Sequence, residues 1–360
     1  LELVYYLEFS LLKGIGLKTK NKLLEVFSSP YNIFSLSYEE IESKFNKQVA
    51  NTILQRDKAL YKQAERELLE AEKKGIEIIT LKDESYPELL KEIPDKSIVL
   101  YIKGNKELLN KPSISIVGSR RHSSYGKAIT QKFSSELAKD GLNIISGMAL
   151  GIDSIAHWSA LNVDGYTTAV LGNGIDIIYP YENRRLYYEL VENGCIISEF
   201  PLGTQPSKWS FPQRNRIIAG LSYGTIIAEA SEKSGALITA KYCIDYNRLI
   251  FSVPANINNP YAKGNNLLLK EGAFPLTEKE DIYTELPFLR NKLSVSNIDD
   301  VDLTEDEKLI LKYLDSPLHI DKLLEYTKFD YEKLMELLIE LELKDLISNE
   351  NGIISLKKLV

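Results

Sequence analysis

The sequence predicts an α/β protein: a doubly wound parallel sheet with a helical domain before it and a small winged-helix domain after it. Three observations lead there. Apolar, β-rich runs alternate with amphipathic helical stretches from about residue 113 to 253, the order that builds a parallel sheet with crossover helices. Several of those runs are apolar at every position, as expected of strands covered on both faces. The flanks lack the alternation, reading as helices alone at one end and as three helices with a β-hairpin at the other. A chain of 360 residues also exceeds one ordinary core, so two or three domains are expected. Their expected bounds are 1–70, 71–290 and 303–360, with a linker at 291–302.

Residues 1–70 read as short helices. In LLKGIGLKTKNKLLEVF (11–27) an apolar entry precedes a tight Gly14-Ile15-Gly16 turn, then apolar Leu17, Leu23, Leu24, Val26 and Phe27. This fits a helix–hairpin–helix or SAM-like unit, whose turn amides can meet a backbone phosphate. A helical turn with no ligand fits at least as well. The sheet opens at Ser113–Val117, stopped by Gly118. Tyr125–Lys139 then places Ala128, Ile129, Phe133 and Leu137 on one helical face, and Gly141 ends it. Apolar runs recur at Leu142–Ile145, Thr168–Leu171, Cys195–Ile197, Thr225–Ala228 and Leu249–Val253. Helical stretches lie near 152–162, 184–192, 214–221 and 235–246, which makes the domain Rossmann-like. The segment TELPFLRNKLSVSNIDDVD (284–302) has little periodicity. Beyond it, Thr304 and Glu307 stand at capping-box spacing. Helical patterns follow near 319–327 and 331–343, and β-like runs flank Asn349–Gly352.

Composition narrows the function. An apolar content of 44% is that of a globular protein. No apolar run approaches the ~18 residues of a membrane span, so no membrane role is expected. The start, LELVYYLEFS, does not read as a signal peptide. Cys195 and Cys243 lie in apolar or helical segments and are expected as buried free thiols, which fits a cytoplasmic protein. Three scattered histidines without C-x-x-C argue against zinc. The net charge of −7 opposes nucleic-acid binding, but residues 300–360 hold 8 Lys/Arg against 15 Asp/Glu and account for all of it. Residues 111–290 hold 18 against 17, which leaves room for a local cationic groove. The acidic tail is expected to meet protein rather than duplex DNA.

In an open parallel sheet, ligands bind beyond the carboxyl ends of the strands, near helix N-termini. Gly118-Ser119-Arg120-Arg121 follows the first predicted strand, SGMALGID (146–153) ends the second and LGNGIDIIYP (171–180) the third. Each turn alone can be strand–helix punctuation; three on one edge point to an anion site. In QPSKWSFPQRNRIIAGLS (205–222), Lys208, Arg214 and Arg216 alternate with Trp209 and Phe211 ahead of a helix that Asn215 is expected to help start. Cations for phosphates beside aromatic faces for unpaired bases are what a single strand needs. The alternative is an amphipathic loop with the two rings in the core. SGALITA (234–240) opens another helix, where the amides of Ser234 and Gly235 can take a phosphate.

The same residues weigh against familiar enzymes. GSRRHSSYG (118–126) lacks the glycines of a dinucleotide turn, no acid ends the second strand, and no P-loop occurs. His157 is expected to be a packed histidine, and Glu199 and Glu229 to be structural hydrogen-bonding groups. The segment YGTIIAEA (223–230) faintly resembles the GT-x-x-E of nucleoside-monophosphate phosphoribohydrolases without their preceding double glycine. A nucleotide-binding or nucleotide-hydrolysing Rossmann-like enzyme is therefore the competing function. A scaffold using the pocket for neither ligand is a third.

The ordered set VGSR (117–120), SGMALGID, GNGIDIIYP, FPQRNRIIAGLS, EASEKSGALITA (229–240) and GNNLLLKEGA (264–273) resembles the DNA-processing protein A (DprA/Smf) family. The likeness extends upstream to YPELLKEIPDKSIVLYIKG (86–104), and the flanking domains match in kind. The resemblance implies a homodimer that binds single-stranded DNA, protects incoming strands in natural transformation and helps load the RecA recombinase, with no catalytic activity and no cofactor. It places the DNA pocket at Ser119, Arg120, Lys208, Phe211, Arg214, Asn215 and Ser234. The side-chain chemistry suggests phosphate contacts for Arg120, Lys208 and Arg214, and a base face for Phe211. Gly118, Gly147, Gly235 and Ser234 suit close backbone approach. Leu267 and Leu268 are candidates for the dimer edge, with buried core as the other reading. Two departures stand out. Pro254-Ala255-Asn256 replaces the usual Pro-Gly, and Tyr181 stands where some relatives carry lysine, so that either Arg184 or Arg185 supplies that charge or the contact is lost.

Overall fold

Strands that are apolar throughout have to be covered on both sides, and the sheet is arranged accordingly. The computed structural model describes residues 2–290, 303–314, 317–344, 346–350 and 352–356; the linker expected at 291–302 lies outside the described residues. The chain divides into two compact units, residues 1–279 and 280–360.

In the first unit six helices, α1 (Glu2–Leu11), α2 (Leu17–Phe27), α3 (Pro30–Ser35), α4 (Tyr38–Lys44), α5 (Lys47–Leu54) and α6 (Ala59–Lys73), precede the sheet. The strands are β1 (Glu77–Thr80), β2 (Val99–Gly104), β3 (Ser113–Gly118), β4 (Asn143–Ser146), β5 (Thr167–Leu171), β6 (Cys195–Ser198), β7 (Gly224–Glu229), β8 (Leu249–Ser252) and β9 (Phe274–Pro275). Between them run α7 (Glu88–Lys91), α8 (Ser124–Lys139), α9 (Ile152–Leu161), α10 (Arg184–Asn193), α11 (Ser210–Gly220), α12 (Ala236–Asp245) and α13 (Lys263–Lys270). The spatial order is β1-β2-β6-β5-β4-β3-β7-β8-β9. Strands β3 to β9 pair in parallel, while β1 and β2 close the β6 edge antiparallel. The sheet is therefore doubly wound but mixed at one edge. The sequence pattern did not reveal β1, β2 or β9, which are short or lie outside the alternation.

Every residue of β4, β5 and β7 is buried. Polar groups among them are paired: Ser115 with Thr225 at 2.5 Å and Ser146 to the Ile116 carbonyl at 2.6 Å across strands, and Asn143 to the Leu108 carbonyl, in the turn before β3, at 2.7 Å. These bonds lower the cost of burying hydroxyls and an amide. One apolar cluster joins the N-terminal helices to the sheet through Leu7, Phe9, Leu23, Tyr101, Leu190 and Ile196. Another holds α11 and α12 on Val117, Ile145, Val170 and Ile227. On α8 the buried face is Gly126, Thr130, Phe133, Ser134, Leu137 and Ala138. Ala128, expected there, is exposed, because α8 packs through small residues against α9.

The second unit contains α14 (Glu280–Glu285), α15 (Glu305–Tyr313), α16 (Ile320–Thr327) and α17 (Tyr331–Leu343), with the sheet β10 (Leu318–His319), β12 (Ile353–Leu356), β11 (Ile347–Glu350). The capping box forms, Thr304 accepting from the Glu307 amide while Glu307 accepts from the Thr304 amide. Leu311, Leu323, Leu334, Leu338, Leu341 and Ile354 share one core, a winged-helix arrangement. Among the described residues no helix is long and apolar enough to cross a membrane.

Candidate nucleic-acid interface

The strand order reverses between β3 and β7, and that switch point is where an open α/β sheet offers a crevice to ligands. A cleft of about 930 Å³ opens there, lined by the end of β3 and the turn after it, by α11 and by the segment between β7 and α12. It is built on close backbone contacts. The Ser119 amide donates to the Glu229 carbonyl at 2.7 Å. A Cβ on Gly118 would lie 2.8 Å from that same carbonyl oxygen, and one on Gly151 (φ +86°) 2.5 Å from the Ser119 oxygen. The turn carrying Ser119 and Arg120 is thus pressed between two strand ends and the start of α9. Ser119 Oγ accepts from the Arg121 amide at 3.1 Å, fixing the turn further.

Above this floor stand the other side chains that line the cleft. Arg120 and Lys208 are exposed and share the cleft with half-buried Phe211. The Arg120 guanidinium lies 5.4 Å from the Phe211 ring centroid. The same ring stacks on Tyr179 at 5.7 Å and 26°, and packs so closely on Gly172 that a Cβ there would be 2.7 Å from Cδ1. Arg121 and Lys233 also line the cleft and are exposed. None of these four cations has a carboxylate partner among the described residues. The one carboxylate in the lining, Asp153, is buried. The cleft is cationic although the chain as a whole is acidic.

Arg214 and Gly147 take places other than those suggested by their chemistry alone. Arg214 is 4% exposed. Its Nη1 donates to the carbonyls of Gly147, at 2.7 Å, and Val170. Burial pulls its pKa down to about 10, while Asp153 acts to raise it and Arg120 to lower it. A Cβ on Gly147 would fall 2.5 Å from Nη1, so the glycine makes room for the guanidinium. Asp153, whose pKa is raised by burial, accepts from the backbone of Ala149, Gly118 and Gly147. Arg214 and Asp153 thus tie the ends of β3, β4 and β5 beneath the cleft. Arg214, expected as a phosphate contact, is here a mostly buried strut at the lining of the cleft, its Nη1 turned to backbone carbonyls. The helix also begins earlier than expected, at Ser210 rather than near 214. Asn215 is mid-helix, accepts from Arg214 Nε at 3.1 Å and donates to the Gly235 carbonyl at 3.3 Å.

Ser234 and Gly235 precede α12 as expected. The Ser234 hydroxyl accepts from the Ala236 amide at 3.3 Å, and the space beside Gly235 is open. Trp209 is 87% exposed, so it is not core. Leu267 is exposed whereas Leu268 packs into the core of its own chain, which removes Leu268 from any edge. Arg184 hydrogen-bonds to Tyr181 and Tyr188, and Arg185 sits 3.9 Å from Glu189; none of Tyr181, Arg184 and Arg185 lines the cleft.

The groups weighed for catalysis are occupied. Glu229 accepts from the Ser123 amide and hydroxyl, each at 2.6 Å, and from Asn259 at 3.1 Å. Glu199 pairs with Arg216 and accepts from Ser97 at 3.1 Å. His157 is fully buried at 2.7 Å from Thr167 Oγ1, which donates to the Ile144 carbonyl, so the ring's Nδ1 carries the proton. Burial, with Arg214 nearby, pushes its pKa down to about 3. Both cysteines are buried free thiols.

The sequence pattern of the family described as DNA recombination-mediator protein A matches residues 77–287, and a DprA winged-helix pattern matches residues 299–352. The chain belongs to the DNA recombination-mediator protein A family. Among relatives, it is 34% identical to Protein Smf of Synechocystis, covering 98% of each chain. It is 40% identical to DNA processing protein DprA of Bacillus subtilis, over 63% of this chain and 77% of that one. Among solved structures, DprA from Streptococcus pneumoniae superposes with a TM-score of 0.66 at 34% identity, covering 78% of this chain and 96% of the other. DprA from Helicobacter pylori, described by its single-stranded DNA binding mode, gives a TM-score of 0.53 at 33% identity over 59% of this chain and 96% of the other. For this DprA-family chain, sequence reasoning placed Arg121 in an anion-site turn but did not single out Tyr179, Gly151, Gly172, Lys233 or Asp153 as parts of the site. The glycines lay in quoted turns, but nothing in a turn's spelling says which glycine faces an aromatic ring.

Proposed function

We propose that the chain binds single-stranded DNA without sequence preference, in the cleft at the β3–β7 switch point, and performs no chemistry on it. The observation that carries this reading is the convergence on one cleft of four exposed cations, which lack carboxylate partners among the described residues, with the rings of Phe211 and Tyr179. Cations hold the phosphates while rings stack on bases, a combination that tolerates any sequence. The likeness to the Helicobacter pylori protein supports the same ligand. The wider role that fits is that of a cytoplasmic homodimer which protects incoming strands in natural transformation and passes them to the RecA recombinase.

Fluorescence anisotropy with a labelled oligonucleotide tests the cleft. Affinity should fall steeply with salt, and Arg120→Glu with Lys208→Glu should remove most of it. Unchanged affinity in that double variant rejects the cleft. Incubation with nucleoside phosphates and product analysis should show no turnover; turnover rejects the non-catalytic reading.

A further inference from the structure

The winged-helix unit carries an exposed apolar surface of its own. In α17 the inner face is Leu334, Leu337, Leu338 and Leu341, all buried in the unit's core. The helix is apolar on a second side as well. Tyr331, Met335, Ile339 and Leu343 follow one another at four-residue steps and so form one ridge along the helix. Tyr331 is 60%, Ile339 53% and Leu343 82% exposed, and Met335 is half-buried. Beside this ridge runs a second at the same spacing, Glu332, Glu336 and Glu340, all exposed. Lys333, the cation on the exposed side, is held by Asp306 at 2.6 Å. Single exposed leucines need no explanation, whereas a contiguous apolar row marks an interaction site.

In a DNA-binding winged helix or helix-turn-helix, a helix in this position enters the major groove. Here it would bring a row of carboxylates against phosphate, which repels it. A second copy fits poorly too, because a two-fold antiparallel pair of α17 helices sets each glutamate row against its own equivalent. The remaining complement is cationic and apolar. We propose that the exposed ridge of α17 docks a basic amphipathic segment of a partner protein. Its apolar residues seat along Tyr331, Met335, Ile339 and Leu343, and its Lys or Arg side chains meet Glu332, Glu336 and Glu340. The charge of the region agrees: residues 300–360 hold 8 Lys/Arg against 15 Asp/Glu.

The probe is a labelled leucine–lysine peptide of about 18 residues with its leucines on one helical face, compared with an isomer of identical composition whose leucines are dispersed. The full chain should bind the patterned peptide at least about tenfold more tightly than the isomer. Ile339→Asp with Leu343→Asp should abolish that preference and leave oligonucleotide binding unchanged. Glu336→Lys with Glu340→Lys should weaken peptide binding by a similar factor, and it carries the test if the aspartate variant fails to fold. Equal binding of the two peptides, or a preference untouched by both variants, overturns the proposal. So does a change of oligomeric state in sedimentation with the aspartate variant, which makes a second copy the occupant. Loss of duplex-DNA affinity in that variant overturns it as well.

Discussion

Phe211 shows how one side chain's role is set by what lies behind it. Its ring rests on Gly172 and against Tyr179, with the Arg120 guanidinium 5.4 Å from its centroid. Phe211→Ala should cost roughly 1–3 kcal/mol of oligonucleotide affinity if the ring stacks on a base. Gly172→Ala should also weaken binding, with no charge changed, because its Cβ displaces the ring. Anisotropy titrations of the two variants check this, and full affinity in both would remove Phe211 from the contact. His157 makes a separate prediction about stability. Its pKa is about 3 in the folded chain and about 6.5 when unfolded. Between those values the unfolded chain binds a proton that the folded chain does not, so stability falls as pH drops through that window, by at most about 1.4 kcal/mol per pH unit. Thermal midpoints measured from neutral to mildly acidic pH should therefore fall less steeply for His157→Asn than for the parent. Parallel slopes would mean that the ring is charged in the fold.

At the level of elements, most of the sheet and helices was legible and the edges were not. Apolar runs marked β3 to β8 because strands covered on both faces admit few polar residues. Strands β1 and β2 escaped notice because they pair antiparallel at the β6 edge, outside the strand–helix alternation. At the start of α11 and just before it, the sequence shows three cations around two rings and cannot rank them by depth. Arg214 points inward to the Gly147 and Val170 carbonyls, Arg216 pairs with Glu199, and Lys208 lies before the helix in solvent. Arg214→Lys should therefore act on the framework. It should lower stability by roughly 2–3 kcal/mol through lost charged hydrogen bonds and leave the salt dependence of strand binding near the parent's. Arg120→Ala and Lys208→Ala should each flatten the salt dependence by about one counterion. A salt slope reduced by about one in Arg214→Lys would restore it as a phosphate contact.

Across the whole molecule, charge is unevenly divided: the acidic excess sits in the C-terminal region, and the sheet carries a cationic cleft. Removing residues 303–360 should leave strand affinity and its salt dependence largely intact, measured by the same titration; a large loss would place the winged helix on the strand. The sequence by itself determined the fold class, the family and the rim of the sheet at which ligand chemistry gathers. Burial preference and turn composition are local properties written along the chain. Only the tertiary structure decided that Arg120 and Phe211, far apart in sequence, share one opening, that Arg214 lies beneath it, and that Leu268 belongs to the core. Those outcomes depend on which strand lies beside which and on which side chain reaches a carbonyl first. Strand order and packing depth are set by long-range contacts that no local pattern encodes.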